Sequence, residues 1–227
     1  LYRRAGVLEV LYPELAPLTA ERPDASGPDL WTGTLGAVDA IPPHRAQLRM
    51  ATLFHAVGMP PARTKDLRGG WRYTGHEVLG GRKAEDIMRR LKSSNADTAR
   101  VTALVRHQSD LFPPDAPDPG VRRWLRQIGP DLVADLFRLR FALWRGSNPG
   151  ATAAPADLLE RWAKARRILR ERPALSTTDL AIGGGDLKAA EASFAASIAL
   201  AEKLGFSPMR DAVLPDGDAV RLLERLP

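Results

Sequence analysis

The chain has 227 residues, with 33 Lys and Arg against 27 Asp and Glu, for a formal net charge of +6. It contains no cysteine, which excludes disulfides and thiolate metal sites and fits a reducing, cytoplasmic setting. No apolar run approaches the roughly 20 residues that a membrane span needs, and no signal peptide is visible, so a membrane partner is not expected.

Such a length suits one large domain or two small ones and is long enough to bury a core. The pI is near 10.0, and arginine supplies most of the positive charge. A guanidinium fork can bond two phosphate oxygens at once, so the excess is compatible with a nucleic-acid partner. A GC-rich coding bias, which also enriches Ala, Gly and Pro, would produce the same arginine content.

Helical periodicity runs through nearly the whole chain. A helix is expected from Leu1 to Tyr12, and a chain that opens on Leu inside a helix is expected to be a piece of something longer. The next is expected from His44 to Gly58, with Leu48, Ala51, Thr52 and His55 along one side and Gly58 and Pro60 as stops. His76 to Lys92 reads as helix through Val78, Leu79, Ile87, Met88 and Leu91. Asn95 is expected to cap a helix reaching about Leu111. Residues 112–120, FPPDAPDPG, are too rich in proline to continue it. Pro130 suits the start of a helix carrying Leu132, Val133, Leu136, Phe137 and Leu139. Residues 147–155, SNPGATAAP, read as a linker. A helix from Ala156 to Arg172 and an Ala-rich one from Leu187 to Leu204 follow, the latter closed by Gly205. The only strand-like stretch is Trp71 to Thr74, too short to carry a sheet, so the expected class is all-α.

His55, His76 and His107 each fall near a predicted helix end, which makes a metal-dependent phosphohydrolase site worth testing; such a site needs several His and Asp ligands converging from different helices. His55 is followed by Ala56, with no acidic residue beside it.

At this point the chain resembles a known family. LRMATLFHAVGMPPART (48–64) is similar to the LRLAALLHDIGKPATRT segment of bacterial tRNA nucleotidyltransferases and the related poly(A) polymerases. YTGHEVLGGRKAEDIMRRL (73–91), VTALVRHQ (101–108) and VRRWLRQIGPDLVADLFRLR (121–140) resemble the segments that follow in that family. PALSTTDLAIGGGDL (173–187) resembles a later one, and GVLEVLYPEL (6–15) resembles the run that leads into its HD region. The matches keep family order and spacing from about Leu1 to Lys188. The resemblance implies a helical HD-like domain followed by a smaller helical C-terminal region. It divides the chain into a neck-like connector at 1–25, an HD-like domain at 26–148 and a C-terminal, possibly tRNA-binding region at 155–227.

The same resemblance implies where an HD metal site would lie. Its first His falls at Gly33, its His-Asp pair at His55 and Ala56, and its distant Asp at Leu143. One imidazole cannot hold a divalent ion that needs three or more protein ligands, so no metal is expected. The family's nucleotidyl transfer uses Mg²⁺ with CTP or ATP in a separate head domain. That motif is missing here: Asp115 and Asp118 lie in a proline-rich loop, and Gly183 to Leu187 follows no strand. No cofactor and no catalytic residue is therefore expected in this chain, with a head domain supplied in cis or in trans.

Three segments concentrate positive charge. Arg122, Arg123 and Arg126 lie in one, and Arg138, Arg140 and Arg145 in the next. Arg161, Lys164, Arg166, Arg167, Arg170 and Arg172 crowd the third, where Lys164, Arg167 and Arg170 recur at three-residue steps on one helical face. These residues, Arg145 and Arg172 aside, are the candidate contacts to tRNA or another structured RNA, tracking phosphates without reading bases. A solvated helix partnered by Glu160 and Glu171 is the rival reading. Trp124, Trp144 and Trp162 are expected in the core. The expected function is the tRNA-holding body and tail of a nucleotidyltransferase-like protein. The alternatives are an HD phosphohydrolase and a non-catalytic interaction module.

Overall fold

A computed structural model describes residues 6–21, 28–67, 70–151 and 153–171. These lie in the first of two units, Leu1–Leu175. The helix expected at 187–204, the turn at 183–187 and the whole second unit, Ser176–Pro227, lie outside the described residues.

The first short helix, α1 (Val7–Leu11), runs into a 3-10 helix at Pro13–Thr19. Pro13 and Pro17 remove amide donors there and keep the turn tight, while Leu15 and Leu18 are fully buried. Helix α2 (Leu30–Asp39) starts on an Asp29 cap whose carboxylate accepts the Thr32 amide at 2.8 Å. Then come α3 (Ala46–Phe54) and α4 (Met59–Ala62). A two-stranded antiparallel hairpin follows, β1 (Thr64–Lys65) and β2 (Trp71–Arg72), with Thr64 opposite Arg72. The remaining helices are α5 (His76–Arg90), α6 (Asn95–His107), α7 (Asp118–Ile128), α8 (Pro130–Ser147) and α9 (Ala156–Arg170). The class is all-α, as the periodicity predicts. None of the described helices is long and apolar enough to cross a membrane.

Helix α8 is the axis of the core and packs against α2, α3, α6, α7 and α9. It can do so because Leu132, Val133, Leu136, Phe137, Leu139 and Ala142 bury apolar surface around most of its circumference. Where α2 crosses it, both helices present glycine. A Cβ at Gly146 would stand 2.1 Å from the Gly33 carbonyl oxygen and 2.7 Å from the Ala37 amide, so the two backbones meet directly. Two of the tryptophans expected in the core, Trp124 and Trp162, join an aromatic chain with Phe112 and Phe137, successive ring centroids lying 5.0 to 6.2 Å apart. Trp124 also donates its indole N–H to the Asp110 carbonyl at 2.9 Å. Trp144 is half-buried.

Some local expectations are corrected. The helix predicted over 44–58 ends at Phe54, and His55 to Gly58 forms turns. The break is set by packing: a Cβ at Gly58 would lie 2.0 Å from the His76 carbonyl oxygen, so the chain must give way to α5 there. Pro60 does not stop a helix but sits in the first turn of α4, where a missing amide costs nothing. Ser94, not Asn95, caps α6, its hydroxyl accepting the Asp97 amide at 3.1 Å. The helix then stops at His107 rather than Leu111.

Candidate nucleic-acid interface

The four positions at which the HD resemblance looks for metal ligands come from α2, the end of α3 and α8, and both α2 and α3 pack on α8. Gly33, Ala56 and Leu143 carry no ligating side-chain atom. His55 keeps its imidazole, but its Nδ1 lies 2.8 Å from the Thr52 carbonyl oxygen. Burial, which disfavours the charged ring, depresses the His55 pKa to about 4; the Thr52 bond opposes this, while His76 and Arg140 add to it. The ring is therefore neutral at pH 7, with positive charge beside it. One donor next to a guanidinium does not fit a divalent cation. His76 does not cap α5: its Nδ1 faces the Tyr73 carbonyl oxygen at 2.7 Å and Glu77 at 3.3 Å. His107 lies 3.2 Å from Asp110.

The arginine face is built where α7 and α9 lie side by side, each following a Pro-bearing turn. Two cross-links hold them. Arg167 on α9 forks onto both carboxylate oxygens of Asp118 at 2.8 Å, and Arg122 on α7 reaches Glu171 at 3.4 Å. The Arg167 bond holds the Asp118 carboxyl below its ordinary pKa, and the reciprocal bond raises the guanidinium. Arg167 also binds Glu171 at 2.8 Å. Lys164 donates to the Ala116 carbonyl, stitching α9 to the loop before α7.

The candidate RNA-binding residues therefore divide into separate groups. Arg123 and Arg126 on α7 and Arg166 and Arg170 on α9 are exposed and, among the described residues, have no carboxylate within ion-pair distance. Arg122, Lys164 and Arg167 are engaged in holding α7, α9 and the preceding loop together. Arg138 belongs elsewhere: with Arg45 and Arg100 it surrounds Asp135, at 2.8, 3.4 and 2.6 Å respectively. Burial pushes the Asp135 carboxyl up, but the bonds from Arg100 and Arg138 outweigh it and hold the group below the usual carboxylate range. Arg140 and Arg161 are half-buried and face a cavity between α8 and α9.

The sequence reading missed Arg45 and Arg100, which are far in sequence from the charge-dense segments, and three of the acids that oppose the arginines, Asp118, Asp135 and Asp157. Asp157 to Arg161 is an i to i+4 pair that spacing alone could have revealed, at 3.6 Å. Asp118 lies 49 residues from its partner Arg167, and nothing local signals the pairing.

No protein-family profile matches the chain. Individual proteins do. The chain is 32% identical over 186 residues to the CC-adding tRNA nucleotidyltransferase of Thermus thermophilus, a match covering 78% of this chain and 41% of that protein. It is 37% identical over 131 residues to the A-adding tRNA nucleotidyltransferase of Deinococcus radiodurans, covering 56% of this chain and 29% of that one. The chain thus spans less than half the length of these relatives. Identity of this order, held across most of the chain and carried by a helical fold that agrees with the motif order, makes it a distant homologue of the tRNA nucleotidyltransferases.

Proposed function

We propose that this chain is the tRNA-holding helical body of a nucleotidyltransferase-like protein, positioning tRNA for nucleotide addition by a head domain supplied in cis or in trans. Its HD-like part, 26–148, is read as a scaffold whose metal site has degenerated, with 1–25 as a neck and 155–227 as a tail. The observation that carries the RNA half of this reading is the set of exposed guanidiniums on α7 and α9 with no carboxylate within ion-pair distance among the described residues: Arg123, Arg126, Arg166 and Arg170. Two helices tied together by ion pairs present them on rigid elements, which suits recognition of a folded RNA by its backbone. Relatives that add nucleotides to tRNA support the choice of tRNA over other polyanions.

Nothing in the site favours the phosphohydrolase alternative, since three of the four ligand positions offer no donor. The test is fluorescence anisotropy with tRNA across a salt series. Affinity should fall steeply between about 50 and 200 mM salt, and replacing both Arg166 and Arg170 by Gln should lower the log–log slope by about 1.5 to 2. Salt-independent binding, or none, would sink the proposal.

A further inference from the structure

We propose that the cavity between α8 and α9 binds a single phosphorylated unit, a phosphate ester of mononucleotide size, through the guanidiniums of Arg140 and Arg161. The cavity measures about 400 Å³ and is lined by both arginines together with Leu143, Trp144, Asp157 and Leu158. That volume suits a small ligand and is far too small for a duplex. The Nε atoms of Arg140 and Arg161 are buried and have no hydrogen-bond partner among the described residues. Arg140 also has no carboxylate within ion-pair distance there. Arg161 has one, Asp157, at 3.6 Å, whose side chain is 59% exposed and so only weakly offsets the charge.

Two guanidiniums that share a cavity repel one another. The Arg140 pKa is pulled below its ordinary value by burial first and by Arg161 second. Half-buried cations that, among the described residues, only the exposed Asp157 offsets are unfavourable unless an anion completes the site. A phosphate group supplies oxygens to both forks at once, which a single carboxylate does less well. A carboxylate at position 143 would cancel this charge and repel a phosphate; Leu143 leaves the charge in place. With Trp144 and Leu158 it forms an apolar wall on which a base or sugar can lie. This site goes beyond the tRNA reading, because the cavity would take a mononucleotide whether or not the outer arginines hold RNA.

The test is calorimetric titration of the full chain with AMP, with adenosine and inorganic phosphate as comparisons. AMP should bind saturably, adenosine should not, and inorganic phosphate should compete. Arg161→Gln should weaken AMP binding about tenfold or more, as expected when a charged hydrogen-bond donor is lost, and Arg82→Gln on α5 should leave it unchanged. Arg140→Gln should match Arg161→Gln; if it does not fold, the AMP-dependent rise in Tm of the unaltered chain, absent with adenosine, stands in for it. Saturable AMP binding that added tRNA displaces supports the site with an RNA strand end as its source. The same binding undisturbed by tRNA, or in a chain that does not bind tRNA, supports it with a free mononucleotide. No AMP binding, equal binding of adenosine, or full binding by Arg161→Gln overturns the proposal.

Discussion

Helix α8 meets α2 on one side, and on another side of the same core the α7–α9 seam carries the arginines. At the crossing, Gly33 and Gly146 bring backbone against backbone, and Gly146 has no room for a methyl group. At the seam, Arg167, Asp118, Arg122 and Glu171 meet through long side chains in solvent. The difference teaches where each kind of information resides. A packed crossing depends on atoms that cannot move, so small changes are costly there. A solvated seam depends on charges that water screens, so its members can be exchanged with little effect on stability and a larger effect on what the surface binds.

The largest expected effect is at the crossing. Gly146→Val would drive its side chain into the Gly33 carbonyl and the Ala37 amide, and should cost about 3 kcal/mol or more in a denaturant titration. A variant as stable as the parent would mean that α2 and α8 do not approach as described.

Next is the pH response of the interior beside that crossing. The unfolded His55 titrates near its ordinary value of 6.5 and the folded one near 4. Below pH 6.5 the unfolded chain takes up a proton that the folded chain refuses. The stability associated with the neutral ring is therefore full above pH 6.5 and declines as pH falls to about 4, by up to about 3 kcal/mol. His55→Gln should flatten this part of the stability profile. The separate loss in more acidic solution should remain: the folded pKa of Asp135 is depressed, so its contribution is present above its unfolded value and lost as pH falls through the folded one.

Asp135 lies between the two regimes, a carboxylate 8% exposed that gathers three arginines which are themselves partly in water. Asp135→Asn keeps the shape and removes the charge, and should cost about 2 kcal/mol of unfolding free energy. An unaltered Tm would place this cluster with the solvated seam.

The smallest stability effect is expected at the seam itself. Asp118→Asn should leave thermal unfolding essentially unchanged and remove one of the two carboxylates that offset Arg167, the other being Glu171, tightening tRNA binding about two- to fivefold at low salt, with a steeper salt dependence. Weaker tRNA binding by this variant would show that the ion pair orients Arg167 rather than occupying it.

Much of the fold was legible because helical periodicity and proline placement are local signals. The α5 and α8 starts at His76 and Pro130 and the loop before α7 follow from them. The Ser94 cap was one residue from the expected one, since two neighbouring polar residues could each serve and only the direction of the chain entering α6 chooses. The break at His55 was not legible, because it is imposed by α5 against Gly58. The candidate interface was read as three basic segments, with Glu160 and Glu171 as the opposing acids of the third. The folded chain adds Asp118 from 49 positions away and separates Arg138, Arg140 and Arg161 from the seam.

By itself, the sequence determined the helical class and the order of family-like motifs. It also determined that Gly33, Ala56 and Leu143, the positions singled out by the HD resemblance, carry no ligating side-chain atom. Only the tertiary structure decided which arginines are neutralised, which remain free on the surface and which line a cavity. Helix periodicity fixes the direction of a side chain relative to its own axis. The carboxylate or apolar wall it then meets depends on which distant segment packs against that axis.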